Sequence, residues 1–152
     1  MSSDPYKAGL VGTDLIAAKK DVEGSLVVVL RGSLEDRGLN LTDSVTRALL
    51  AGEIHELIVT DEPTARPGSR VDRIAYIGFV EITSGGVIAV GDRLVCAGVS
   101  IGTIAGYDTT HLPNHMNIVA TASRRTDGTD SGLALGDEVL IGGIGHDNGL
   151  EA

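Results

Sequence analysis

Asp108-Thr109-Thr110-His111-Leu112-Pro113-Asn114-His115-Met116-Asn117 gathers two of the chain's four histidines, two asparagines, an aspartate and a proline. A neutral imidazole both donates and accepts hydrogen bonds, an asparagine amide does the same, and an ionised aspartate accepts only. Such a set suits a hydroxyl-rich small molecule. Gly98, Gly102 and Gly106 lead into the segment, and the apolar run Ile118 to Ala120 leads out. Binding groups concentrate on loops held by rigid elements. Asp108, His111, Asn114, His115 and Asn117 are therefore the candidate ligand-binding residues.

His111 and His115 also have the four-residue spacing that places two imidazoles on one helix face. Asp108 or Asn117 would complete such a metal site, with Zn²⁺ or another divalent ion as cofactor because no thiolate cluster is present. Pro113, between them, works against a regular helix. His55 is a further ligand candidate. In a strand its neighbours alternate sides, so it cannot share a face with both Glu53 and Glu56. Glu81 interrupts the apolar run Ile77 to Ile82 and joins the candidate list. A carboxylate there is either on a solvated face or buried with a partner, and strand alternation favours the solvated face. The competing reading of 108–117 is a polar turn, with Asn114 and Asn117 bonding the backbone.

Other chemistry is excluded. Cys96 is the lone cysteine, has no basic neighbour in sequence, and is expected to be a buried thiol. There is no Gly-x-Gly-x-x-Gly, Walker lysine or Gly-x-Ser-x-Gly. The net charge of −9 argues against a nucleic-acid backbone as partner. No apolar run is long enough for a membrane span, and Met1 to Lys7 lacks a signal-peptide pattern. These features predict a cytoplasmic protein. A homodimer is the preferred assembly, because two-fold oligomers are the commonest.

The elements that must position these groups are mostly short strands. With 152 residues, 42% hydrophobic and only 3% aromatic, Val, Ile and Leu must build the core of one domain. The expected domain spans residues 10–142, with a flexible arm at 1–9 and a flexible tail at 143–152 that carries His146 and Asp147. Ser25 to Leu30 predicts a buried strand and His55 to Thr60 another. Further strands are expected at 73–82, 87–89, 93–97, 102–107, 116–122 and 138–141. Asp61 to Arg70, with two prolines, reads as an exposed loop. Leu41, Val45, Ala48 and Leu49 fall at i, i+4, i+7 and i+8, which predicts a helix over 40–51 with Asn40 as N-cap and Gly52 beyond its end. Turn signals about every ten residues suggest a small antiparallel β-barrel packed on that helix. Val90-Gly91-Asp92-Arg93-Leu94-Val95 is echoed by Leu135-Gly136-Asp137-Glu138-Val139-Leu140, which predicts two similar corners.

From Tyr76-Ile77-Gly78-Phe79-Val80-Glu81 onward, residues 74–142 resemble the glucitol/sorbitol-specific IIA component of the bacterial sugar phosphotransferase system. The shared order is strand, Gly-Asp corner, Thr-Ile-Ala-Gly strand, polar Leu-Pro-Asn-His segment and apolar strand. The resemblance implies a small β-barrel. It places the family's phosphoryl-carrying histidine near Gly78 or Val80, and neither is histidine, so phosphoryl transfer does not carry over. The whole chain, including Asp36-Arg37-Gly38-Leu39 and Gly52 to Leu57, also resembles an uncharacterised bacterial family of unknown function. Together these readings favour a non-catalytic binding or accessory protein for a small polar metabolite, a polyol or sugar acid. The alternatives are a metal-assisted enzyme using His111 and His115, and a structural module.

Overall fold

The computed structural model describes residues 13–143, so the expected arm at 1–9 and nearly all of the expected tail, with His146 and Asp147, lie outside the described residues. After a 3-10 turn at Thr13–Leu15, the chain forms β1 (Val22–Val29), β2 (Ser33–Leu34), β3 (Leu39–Asn40), β4 (Thr46–Leu49), β5 (Ile54–Thr60) and β6 (Arg70–Val71). It continues through β7 (Ile74–Ser84), β8 (Gly86–Ala89), β9 (Arg93–Cys96), β10 (Val99–Asp108), β11 (Asn117–Thr121) and β12 (Glu138–Gly142). The fold is mainly β. The largest sheet runs β1-β12-β9-β10-β11-β5-β7-β2, and β1 pairs with β7 as well as with β12.

The packing follows from strand alternation. Leu57 and Val59 face the main core while Ile58, between them, enters a second cluster. Ile118 and Ala120 likewise face the main core, and Val119 the second. The second cluster is closed by Leu39, Leu41 and Val71 from the neighbouring segments. β5 and β11, paired in parallel, are thus covered on both faces, which is why their central stretches, Leu57 to Val59 and Ile118 to Ala120, are continuously apolar. Each fully buried Leu or Ile contributes about 1.5–3 kcal/mol over its exposed state. The N-terminal strand departs from expectation in part: Val27 and Val28 of β1 are more than a third exposed.

The helix expected at 40–51 does not form. Leu41 packs into the second cluster and Leu49 into the main one, so the apolar positions serve opposite sides of the sheet rather than one helix face. The Asn40 N–H, read as part of an N-cap, donates to Asp108 Oδ2 at 2.9 Å. Thr46 to Leu49 pair instead with Gly86 to Ala89. Thr42, Val45 and Thr46 are β-branched and suit this extended path. The Tyr107 hydroxyl pins it by donating to the Val45 carbonyl at 3.3 Å.

The repeated Gly-Asp sequence does form twin corners. Gly91 and Gly136 both have positive φ, 98° and 88°. Asp92 Oδ2 accepts the Ala89 N–H and Asp137 Oδ2 the Ala134 N–H, each at 2.8 Å. The first corner bonds across to Ile104 and the second to Leu26 through matching backbone pairs. The strands that follow, β9 and β12, lie side by side and antiparallel.

Candidate functional site

Asp108 ends β10 and Asn117 begins β11, and the two are register partners, so residues 109–116 form the connecting loop. Both side chains are buried. Asp108 Oδ1 accepts the Thr110 N–H at 2.9 Å and the Asn117 amide at 3.3 Å. Burial alone would raise the Asp108 carboxyl, but the N–H groups of Thr110 and Asn40, with Asn117, outweigh it and hold it below the ordinary range. These two residues brace the loop from beneath. The polar-turn reading has Asn117 bonding the backbone; its amide meets the Asp108 side chain instead, and Asp108 is the residue that bonds backbone N–H groups.

Inside the loop, the Asn114 N–H donates to the His111 carbonyl at 2.9 Å, and the Leu112–Pro113 peptide is cis. The tight turn brings the rings of His111 and His115 together, with centroids 5.0 Å apart and planes tilted by 30°. The turn places them without the helix that their spacing suggested. His111 is exposed at the rim, where its Nε2 lies 3.5 Å from an Arg37 guanidinium nitrogen. Its neighbour His115 is mostly buried, edge-on to Phe79 with centroids 5.1 Å apart.

The parallel pairing of β11 with β5 sets Asn117 beside Glu56 and delivers two acids to the histidines. His115 Nε2 lies 3.3 Å from Glu56 Oε1, close enough for an ion pair but without hydrogen-bond alignment. Burial raises the Glu56 carboxyl above the usual carboxylate range, and His115 only partly opposes this. His55 forms a second pair. Its Nδ1 accepts the Met116 N–H at 3.0 Å, which leaves the ring proton on Nε2, facing Glu53 Oε1 at 3.1 Å. Glu53 is held low by the Leu50 N–H first and by His55 second. As strand alternation requires, His55 shares its side with Glu53 and not with Glu56.

A cleft of about 480 Å³ opens above these groups, lined by Gly52 to His55, Phe79 and Leu112 to His115. Of the residues singled out from sequence, Asn114, His115 and His55 line it. His111 stacks at its edge, and Asp108 and Asn117 support it from below. Glu81 is exposed, opposite Ile54 on β7, and does not line the cleft. The sequence reading missed Glu56 as the partner of His115, Phe79 as its wall and Arg37 at the rim. Only the unusual acids flanking His55 signalled any of this. Among the described residues no group of three or more His, Cys, Asp or Glu side chains is arranged to hold a metal ion.

The arrangement offers a ligand two apolar walls, an amide, and imidazoles backed by carboxylates. Residues 16–142 match a family described as a Family of unknown function, DUF6917. This agrees with the whole-chain resemblance and lends no support to the sugar-phosphotransferase one. No curated protein and no solved structure matches the chain. No described helix is long and apolar enough to cross a membrane.

Proposed function

For a chain that belongs to the DUF6917 family, we propose a non-catalytic binding role, in which the His115 cleft takes a small polar metabolite of the polyol or sugar-acid class. The observation that carries this reading is the convergence of Asn114 and His115 with Phe79 on one cleft of about 480 Å³. That size lies within the range of small-molecule pockets. Asn114 supplies a donor and an acceptor for hydroxyls, the Phe79 face covers a sugar's C–H surface, and Arg37 with His111 at the rim suits a carboxylate. His55 is bonded to Glu53 and His115 lies 3.3 Å from Glu56, so these two rings are oriented before a ligand arrives.

We also read the circuit of strand pairings as a small closed barrel with this cleft at one rim. The pairing of β1 with both β12 and β7 supports that reading. A thermal-shift panel of polyols and sugar acids tests the function. Stabilisation by at least one member, lost in His115→Ala and retained in Glu81→Gln, is the expected result. A flat response across the whole panel contradicts it.

A further inference from the structure

Away from the His115 cleft, a second cavity of about 370 Å³ opens between the β9–β10 hairpin and the 124–133 segment. Its floor is apolar. Val59 and Cys96 are buried there, and Ile101 and Leu133 pack against the same core. Burial, with a smaller push from Asp137, raises the Cys96 thiol to about 12, so it serves as a hydrophobe rather than a nucleophile.

The rim has two further features. β9 and β10 are joined by Ala97-Gly98, and both residues have positive φ, 52° and 78°. Among the described residues Ala97 is the one non-glycine in that conformation. Asparagine is the favoured first residue of such a turn. Alanine sets a methyl at the cavity edge instead of an amide, and Val99 beside it is 63% exposed. The other feature is Arg124. Its neighbour Arg125 is held by Glu35, Asp61 and the carbonyls of Leu34 and Ile74. Arg124 lines the cavity, is exposed, and has no hydrogen bond or ion pair with any described residue. The nearby acid, Asp137, turns its Oδ2 to the Ala134 N–H and does not line the cavity.

An unpaired guanidinium at the mouth of an apolar pocket selects for an anionic head on an apolar body. We propose that this cavity binds a small amphipathic carboxylic acid, with the carboxylate on Arg124 and the tail along Val59, Cys96, Ile101 and Leu133. The Ser100 and Thr126 hydroxyls, also on the lining, are placed to share the head group. This site is independent of the His115 cleft.

The test is calorimetric titration of the full chain with hexanoate, octanoate and octanol, alongside amide chemical-shift mapping. Saturable octanoate binding, tighter than hexanoate, is expected, with shifts confined to Val59 and residues 96–101 and 124–133. Arg124→Gln should weaken octanoate roughly tenfold and leave octanol unchanged, and His115→Ala should leave both unchanged. Because Arg124 has no partner to lose among the described residues, its variant is expected to fold normally. Absence of saturable binding overturns the proposal. So does octanoate affinity indifferent to Arg124→Gln, or shifts centred on residues 111–115.

Discussion

His55 Nδ1 accepts the backbone N–H of Met116 at 3.0 Å, and this bond ties β5 to the exit of the histidine-rich loop. The donor and the imidazole are both buried. The fold therefore uses one histidine to hold the segment that presents another.

This bond separates the histidines by role. His55→Ala leaves the Met116 N–H unsatisfied and should destabilise the protein by about 1–3 kcal/mol. His111→Ala removes an exposed ring and should stay within about 0.5 kcal/mol. Urea unfolding of the two variants without ligand gives the comparison. Equal midpoints would refute the structural role assigned to His55.

Asp108 and Glu56 should push stability in opposite directions with pH. The Asp108 carboxyl is held below its ordinary 3.8 in the folded state, so its contribution is present above about that pH and is lost as pH falls through the folded value. Asp108→Asn should cost about 1.5–3 kcal/mol at neutral pH, and the gap should close in acid. The Glu56 carboxyl is raised above 4.5, so its contribution is full below 4.5 and is lost as pH rises through the folded value. Glu56→Gln should gain on wild type as pH rises from 4.5 toward neutral. Unfolding free energies at several pH values check both slopes.

The twin corners differ in what surrounds them. Asp92 is fully buried and takes Lys19 Nζ at 2.7 Å, whereas Asp137 lies nearer the surface. Asp92→Ala leaves a largely buried ammonium without its carboxylate, and about 3–5 kcal/mol is expected. Asp137→Ala removes one bond to the Ala134 N–H and should cost about 1 kcal/mol. Thermal melts that rank the two variants in the reverse order would show that the buried pair is not what holds the first corner.

Gly78 allows β1 and β7 to meet closely. A Cβ there would lie 2.2 Å from the Val28 carbonyl oxygen, a backbone atom that cannot swing aside. Gly78→Ala should therefore cost about 3 kcal/mol or more, measured by urea unfolding. By contrast, Gly52 has nothing within 4 Å of such a Cβ, and only its φ of 94° opposes substitution.

The strands were legible where a run of β-branched residues met a turn signal, as in Leu57-Ile58-Val59 and Ile118-Val119. The Gly-Asp corners were legible because their bonds are local, spanning Ala89 to Asp92 and Ala134 to Asp137. The 40–51 segment was not, since Leu41 and Leu49 have helical spacing yet are claimed by two different clusters. Spacing reports which residues are buried, not which core receives them. At the candidate site, the loop's polar residues were visible, but their division of labour was not. Asp108 and Asn117 look like ligand groups in sequence and act as braces, because Asn40 and Thr110 meet Asp108, and Asp108 meets Asn117, only after folding. Glu56 and Phe79 reach His115 through a parallel strand pairing and a cross-strand neighbour, neither of which local sequence encodes.

In the function proposed above, Asn114 and His115 form a prepared site for a small polar ligand. Titrating the protein with a sugar acid such as gluconate, while following the histidine ring signals and backbone amides by NMR, tests it most directly. Saturable shifts are expected in His115, His111 and the amides of residues 112–115, with His55 moving less because both of its nitrogens are already engaged. Loss of those shifts in His115→Ala should accompany loss of binding. Saturable binding that leaves every one of these signals unmoved would place the ligand elsewhere and rule this site out.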